Sequence, residues 1–214
     1  MWGTIGGMTS DPKAAPEFAE RCYRSSAGIG SGVLLLALAA WLGGDAIVSG
    51  EGRTPWLALA GLLFAVPLII AFTVRPAVWA GEDRLLVRNP FRTITVPWAS
   101  VEAVRAGYSS EVLAGGAKYQ LWAIPVSLRQ RKRAARSAAR AAAEDVTGTV
   151  SSTAPSPGLL RAPSDQAIED LRELAERGAS REGAQGVPTV RWAFELIVPS
   201  LVGLALLAGL GGLA

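Results

Sequence analysis

Three long apolar segments constrain this chain more than any other feature of its sequence. They cover about residues 27–49, 56–74 and 192–214. Each approaches or exceeds the roughly 20 residues that a helix needs to cross a hydrocarbon core. Because a bilayer interior offers no water, such segments satisfy their backbone hydrogen bonds internally, as helices. The sequence therefore predicts a multi-pass membrane protein, with a transmembrane hairpin over residues 27–74 and a separate third span within residues 191–214.

The distribution of basic residues predicts an orientation. Residues 75–191 carry 17 Lys and Arg against 12 Asp and Glu, whereas the hairpin tip at residues 50–55 holds only Arg53, beside Glu51. Basic residues flanking spans are enriched on the cytoplasmic side. We therefore expect the N-terminal tail and the central domain in the cytoplasm, and the C-terminus near the outer face of the plasma membrane.

Two acidic residues fall inside the predicted spans. Asp45 lies near the outer end of the first span, and Glu195 lies near the inner end of the third. A carboxylate within a membrane raises the hypothesis of a proton or ion relay. Neither residue is at the midplane, and Glu195 could pair with Arg191 one helical turn earlier. Interfacial placement or pairing is therefore the favoured interpretation.

The predicted spans are rich in small residues, which let helices approach each other closely. Pairs at four-residue spacing are Gly28 and Gly32, Gly61 and Ala65, and Ala205 and Gly209. We expect these faces to pack the three helices against one another or against a partner membrane protein. Pro67 and Pro199 are expected to kink their helices.

Residues 75–126 contain short runs of β-type sequence separated by turn signals, including Asn89-Pro90 and Gly115-Gly116. This pattern predicts a small antiparallel sheet or barrel. The expected strands are residues 77–79, 85–88, 93–96, 111–113 and 119–124, with residues 101–104 forming a helical turn or a bent strand. Within this region Trp98 and Val101 are interpreted as core residues, rather than as a platform for a ligand.

Two motifs in the same region carry a resemblance to a known group. They are D-x-L-x-V-R-N at residues 83–89 and V-P-W-x-x-V at residues 96–101, within RPAVWAGEDRLLVRNPFRTITVPWASVEAVRAG. This stretch resembles the bacterial PH-like domain of actinobacterial membrane proteins, including those that are low-molecular-weight-protein-antigen-6-like. The resemblance covers roughly residues 27–126 and implies two membrane helices followed by a PH-like domain. Together with the third span, it implies an α+β membrane protein.

A basic, alanine-rich helix is predicted over residues 127–145. Its cations recur at helical spacing: Arg129, Lys132, Arg133, Arg136 and Arg140. A cationic helix face suits an anionic surface such as lipid head groups, although a solvated helix without a specific partner, a protein partner and nucleic acid remain open. Nucleic acid is the least favoured partner, because no aromatic residues interleave with the basic run.

The remaining divisions follow from composition. Residues 1–26 are predicted to be a flexible cytoplasmic tail, in which either Met1 or Met8 could be the start. Residues 146–163 and 179–190 are predicted linkers, because they are rich in Ser, Thr, Pro and Gly or lack periodicity. Residues 164–178 between them are predicted to form an amphipathic helix that ends at Gly178.

The chain lacks the usual groups of catalysis. It has no histidine and a single cysteine, Cys22, so the commonest general base and zinc ligand are missing and no intrachain disulfide can form. No phosphate-binding or dinucleotide-binding motif is present either. We predict a protein without enzymatic activity, cofactor or metal.

Three functional hypotheses are consistent with these features. The first is a non-catalytic scaffold or accessory subunit of a larger membrane protein complex. The alternative is a sensor of anionic lipid surfaces that uses the basic helix at residues 129–140. A small transporter or enzyme that uses Asp45 or Glu195 is the least favoured, because three spans make a small bundle.

Overall fold

The computed structural model describes residues 21–126, 132–133, 135–137 and 163–212 of the 214-residue chain. Three helices in these ranges are long and apolar enough to cross a membrane: Ser26–Val48, Thr54–Val74 and Phe194–Gly212. The prediction of three segments able to span a membrane is confirmed.

The first two of these helices form a hairpin. Helix α1 (Ser26–Val48) begins after Ser25, whose hydroxyl caps it by accepting a hydrogen bond of 3.1 Å from the Gly28 N–H. Helix α2 (Thr54–Ile69) has a proline in its first turn and contains Pro67. Because proline cannot donate a backbone hydrogen bond, the helix is perturbed here, and a π-helical turn (Ile70–Val74) follows.

The central domain begins with a five-stranded antiparallel sheet. Its strands are β1 (Arg21–Tyr23), β2 (Ala77–Ala80), β3 (Arg84–Arg88), β4 (Arg92–Pro97) and β8 (Thr189–Trp192). Their order in the sheet is β1-β2-β3-β4-β8. Alternate residues of β3 and β4 are buried, as expected of strands that pack one face on a core.

A 3-10 turn (Trp98–Ser100) leads from β4 into a second antiparallel sheet of order β5-β6-β7. Its strands are β5 (Val101–Ala106), β6 (Ser110–Ala114) and β7 (Ala117–Gln120). The tight turn between β6 and β7 uses Gly115 and Gly116 at φ of 57° and 70°, a left-handed conformation that glycine adopts without strain. Residues 101–104, predicted as a helical turn or a bent strand, belong to strand β5. The strand predicted over residues 119–124 corresponds to β7, which ends at Gln120.

Helix α3 (Pro163–Gly178) packs against β5 and the 3-10 turn. It buries Ile168, Leu171 and Ala175 in one core with Trp98 and the inward residues of both sheets. A second 3-10 turn (Glu182–Ala184) precedes β8, and helix α4 (Phe194–Gly212) follows it. The predicted mixed α+β architecture with antiparallel sheets is confirmed.

The three long apolar helices lie in an open row with α2 in the middle. Helix α2 packs against both α1 and α4, whereas α1 and α4 make few contacts with each other. Gly203 of α4 is buried at the α2–α4 crossing, where an added Cβ would overlap the backbone of Phe64. Broad faces of α1 and α4 are therefore turned away from the rest of the protein.

Several predicted boundaries are corrected by the structure. The predicted tail at residues 1–26 contains β1 and the first residue of α1, and the predicted linker at residues 179–190 contains a 3-10 turn and the start of β8. The third span was predicted from residue 191, but Arg191 and Trp192 belong to β8, and the helix begins at Phe194. Edge pairing with β4 determines this segment's conformation, which its local sequence does not reveal.

The structure describes five residues of the predicted basic helix, 132–133 and 135–137. Lys132 and Arg133, and residues 135–137 with Arg136, are helical and exposed. Arg129 and Arg140 lie outside the described residues, as do residues 1–20 and most of the predicted linker at residues 146–163.

Candidate functional site at the junction of the spans and the sheet

The membrane helices enter the five-stranded sheet through very short connections. Residues 24–25 separate β1 from α1, residues 75–76 separate the π-helical turn from β2, and Ala193 alone separates β8 from α4. Because connections of one or two residues leave little rotational freedom, the sheet is held close to the ends of all three helices. This junction is the candidate functional site.

Arg75 is the central polar residue of the junction. Its Nη1 lies 2.9 Å from Glu195 Oε1, its Nε donates to the Asn89 carbonyl at 3.3 Å, and its Nη2 donates to Thr93 Oγ1 at 3.4 Å. One side chain thus joins the end of the second span, the β3–β4 turn and the beginning of the third span. The predicted pairing of Glu195 with Arg191 is corrected, because Arg191 is on a strand and not one helical turn away.

Asn89 connects the junction to the second sheet. It is buried, with 2% of its surface exposed. Its side-chain amide donates to the Gln120 carbonyl at 2.8 Å, and its Oδ1 accepts from the Trp122 N–H at 3.4 Å. Both ends of this amide are therefore used, as a buried polar group requires. The Asn89-Pro90 signal marks the expected turn, but its role between the sheets depends on tertiary structure.

An aromatic cluster lies beside these polar contacts. The Phe72 ring packs edge-on against Phe91 at 5.3 Å and against Trp122 at 5.6 Å between centroids. Trp192 and Phe194 are exposed at the start of α4. Aromatic side chains at helix ends are typical of the boundary between lipid and water. If the three apolar helices span a membrane, the β3–β4 turn, which carries Phe91, would lie near this boundary.

Arginines also surround Trp79 on the outer face of the sheet. The Arg88 Cζ lies 4.8 Å from the centroid of the Trp79 ring, and the Arg24 Cζ lies 5.6 Å from it. Burial lowers the pKa of Arg88, and the positive charges of Arg75 and Arg24 lower it further. The Arg88 Nε is buried without a hydrogen-bond partner among the described residues.

The two predicted intramembrane acids do not come together. Glu195 lies at the domain end of α4, whereas Asp45 is near the opposite end of α1, where Ser49 Oγ is 3.5 Å from its Oδ1. At that opposite end, Arg53 Nη2 donates to the Leu210 carbonyl at 2.6 Å, a contact that satisfies a free carbonyl at the end of α4.

The predicted small-residue pairs have different surroundings. Gly28 and Gly32 both approach Thr73, and a Cβ at Gly32 would overlap the Thr73 side chain. Gly61 and Gly209 have open space instead, Ala205 is exposed, and Ala65 is half-buried. Gly203, which lies at the α2–α4 crossing, was missed because many glycines in this segment fit the same weak pattern.

The predicted core residue Trp98 lies deep inside the domain. It is 1% exposed, and its Nε1 donates to the Gly81 carbonyl at 3.0 Å. Val101 is partly buried against the same core. Gly178 faces the indole, because a Cβ there would lie 2.6 Å from Trp98 Cδ1. The end of α3 is therefore fitted closely to this side chain.

A cavity of about 450 Å³ opens between the start of α1 and the start of α3. Arg24, Ser25, Ser26 and Ser164 supply its polar walls. Within the described parts of the chain, no three His, Cys, Asp or Glu side chains are grouped as metal ligands. The polar walls present one cation and several hydroxyl groups, which suit an anionic or polar ligand.

Comparison with known proteins finds a similarity for the central domain. Residues 75–177 match a family model described as a bacterial PH domain. No curated protein and no solved structure matches the chain. The matched stretch includes strands β2–β7 and nearly all of α3, whereas β1 and β8, which complete its sheet, lie outside it. The central domain is therefore similar to bacterial PH domains over residues 75–177, and it is joined to helices that are able to span a membrane.

Proposed function

We propose that this is a non-catalytic plasma-membrane protein of the actinobacterial type that its sequence resembles. It displays its PH-like domain at the cytoplasmic face as a scaffold or accessory subunit of a larger membrane protein complex. The observation that best supports this role is the junction: three connections of one or two residues join the sheet to the helices, and the Arg75–Glu195 ion pair reinforces them. A domain held in one orientation can present a partner with a fixed surface.

The positions of arginines support the cytoplasmic placement. Arg24 precedes α1 by two residues, Arg75 directly follows the second span, and Arg191 precedes α4 by three residues. All three are at the domain ends of the helices. At the opposite end, Arg53 is engaged with the Leu210 carbonyl. This asymmetry is the one expected if the domain faces the cytoplasm.

Two surfaces are suited to partner proteins. The row arrangement leaves α1 and α4 with exposed apolar faces, including Trp41 and Leu201, which lipid or partner helices would cover. In the second sheet, no described strand pairs with the outer side of β7 (Ala117–Gln120). An open edge of this kind can accept a strand from another protein.

Affinity purification of the tagged full-length chain from native membranes, in a mild detergent, tests the proposal. We expect a specific membrane protein to co-purify in a constant ratio. Variants Gly61→Leu and Gly209→Leu add bulk where the structure has open space, so they should fold normally, and at least one should reduce co-purification. Gly30→Leu, on α1, extends the test to the first helix. Recovery of only a monomer from native membranes would contradict the proposal.

Lipid-surface sensing through the basic helix is a second candidate, supported by the exposed helical residues Lys132, Arg133 and Arg136. Trypsin cleavage of the full-length chain in vesicles tests it, because contact with anionic lipid would protect these residues. Protection should require anionic lipid and should decline with salt. Cleavage indifferent to both would exclude this role. This test needs the full-length chain, because a fragment limited to residues 75–190 would lack β1 and half of β8.

A further inference from the structure

We propose that Arg24 and Arg88 form a binding site for the phosphate of an anionic membrane lipid, which bridges the first span and the five-stranded sheet. The lipid would be bound as a structural ligand at the junction. This inference requires the helices to be in a membrane, but it is independent of the scaffold role and does not involve the basic helix at residues 127–145.

Both guanidinium groups are positioned by the same indole. Arg24 Cζ and Arg88 Cζ lie 5.6 Å and 4.8 Å from the Trp79 centroid, so each is held near the ring by a cation–π contact. A guanidinium group that packs on an aromatic ring can still donate hydrogen bonds from its edge to phosphate. Two such groups beside one ring can therefore bind one phosphate together.

The site lies where lipid head groups are expected. Arg24 is two residues before the first helix able to span a membrane. Arg88 is on the outer face of β3, opposite Ala77, which is three residues after the second such helix ends. The pairings of Arg88 with Thr93 and of Thr93 with Arg191 place Arg191 on the same face, two strands away. The basic face is thus next to the ends of all three helices.

Among the described residues, the positive charges at this face outnumber the negative ones. Four arginines surround the junction: Arg24, Arg75, Arg88 and Arg191. Glu195 is the carboxylate that interacts with these arginines, and it is already paired with Arg75. In the described part of the chain, no carboxylate forms an ion pair with Arg24 or Arg88. Burial and the arginine neighbours lower the pKa of Arg88, which is the direction expected of a cation whose surroundings disfavour its charge.

A cavity beside the start of α1 extends the site on the Arg24 side. It has a volume of about 450 Å³ and is lined by Arg24, Ser25 and Ser26, whereas Arg88 is not among its lining residues. The Ser164 hydroxyl on the other side of this cavity is buried and has no partner among the described residues. The first turn of α1 borders the same space, and helix N-termini favour anions. A lipid, rather than free phosphate, fits a site adjacent to three membrane helices.

The test compares full-length protein in nanodiscs of phosphatidylcholine alone with nanodiscs that also contain phosphatidylglycerol. Native mass spectrometry then measures which lipid stays bound. Because a basic residue near an anionic surface contributes about five-fold in binding, the double variant Arg24→Gln/Arg88→Gln should lose roughly 30-fold in preference for phosphatidylglycerol. The control Arg105→Gln/Arg177→Gln also removes two exposed positive charges, on β5 and α3, and should behave as wild type.

Thermal unfolding of Arg88→Gln provides a second readout. Adding phosphatidylglycerol to the phosphatidylcholine nanodiscs should raise the unfolding midpoint of the wild type, and it should raise that of the variant by less, because one of the two guanidinium groups is gone. The single variant Arg24→Gln, at an exposed residue, should fold normally and lose about five-fold in lipid preference.

Three outcomes would overturn the proposal. Equal retention of the two lipids by wild type would show that the site does not select anionic lipid. Equal losses in the site and control variants would show a general charge effect. If inorganic phosphate alone stabilised the protein as much as phosphatidylglycerol, the site would bind free phosphate and not a lipid. None of these outcomes depends on whether a partner protein co-purifies.

Discussion

The Arg75 guanidinium lies 2.9 Å from the Glu195 carboxylate and joins the end of the second span to the start of the third. The two side chains differ in exposure, at 15% for Arg75 and 64% for Glu195. Removing the exposed partner, in Glu195→Gln, should cost about 0.5 kcal/mol, as for surface ion pairs. Arg75→Met should cost roughly 2 kcal/mol, because it also leaves Asn89 and Thr93 without their donor.

Unfolding of both variants in a mild detergent, followed by tryptophan fluorescence, measures these costs. The double variant tests the coupling: its cost should be less than the sum of the two single costs, because the ion pair can be lost only once. Equal effects of the two single variants would contradict the central role of Arg75.

The packing of Gly178 against Trp98 leads to a second prediction. A methyl group at Gly178 would lie 2.6 Å from Trp98 Cδ1, so Gly178→Ala forces either the indole or the end of α3 to move. We expect a loss of about 1–3 kcal/mol in the free energy of unfolding, typical of overpacking. Gly107→Ala is the matched control, because nothing lies within 4 Å of the added Cβ. A smaller loss for Gly178→Ala than for Gly107→Ala would exclude this close fit.

The α2–α4 crossing provides a third prediction. Gly203→Leu should separate the two helices, because even a Cβ at this position would overlap the Phe64 backbone. The expected result is a lower thermal unfolding midpoint in detergent, by several degrees, with the far-UV circular dichroism retained. Gly209→Leu makes the same change on the same helix in open space and should leave the midpoint unchanged. A midpoint lowered equally by both changes would show that Gly203 is not at a tight crossing.

Glu111 should make stability depend on acidic pH. Its hydrogen bond from Ser109 lowers its pKa, and Lys118 lowers it further. A carboxyl with a lower pKa in the folded state stabilises the protein above its unfolded pKa, and this stabilisation is lost as pH falls through the folded value. Wild type should therefore exceed Glu111→Gln in unfolding midpoint near neutral pH, and the two midpoints should converge as the pH falls below the folded pKa of Glu111.

The same pH-dependent unfolding measurement on Ser109→Ala tests whether the hydrogen bond from Ser109 lowers the pKa of Glu111. Loss of this hydrogen bond should raise the folded pKa of Glu111, so that the stabilisation disappears at a higher pH than in wild type. A difference between wild type and Glu111→Gln that did not change with pH would exclude the carboxylate as its source.

The features most accessible from the sequence were those set by local composition. Long apolar runs predicted the three helices, and short runs of β-type sequence between turn signals predicted the strands within residues 77–120. Strands β1 and β8 were missed because they are edge strands of three and four residues. Their conformation comes from pairing with β2 and β4, to which local sequence is only a weak guide.

The junction was harder to predict than the fold. Arg75 and Arg88 contributed only to a count of basic residues. Their convergence with Arg24 depends on the register of β2 and β3 and on the ends of two helices. No spacing in the sequence brings residues 24 and 88 together. Glu195 was identified as notable because of its position in an apolar segment, whereas its partner Arg75, 120 positions away, could be found only from the structure.

Strand β8 has a consequence for the order in which the protein is made. The five-stranded sheet receives its last strand from residues 189–192, directly before the final apolar helix. During synthesis, β4 therefore keeps an unpaired edge until residues 189–192 have left the ribosome. A chain truncated before residue 189 would have both an incomplete domain and an exposed, aggregation-prone strand. Cellular proteases that recognise this exposed strand would thereby also remove chains that lack the third apolar helix, without contacting the helix itself.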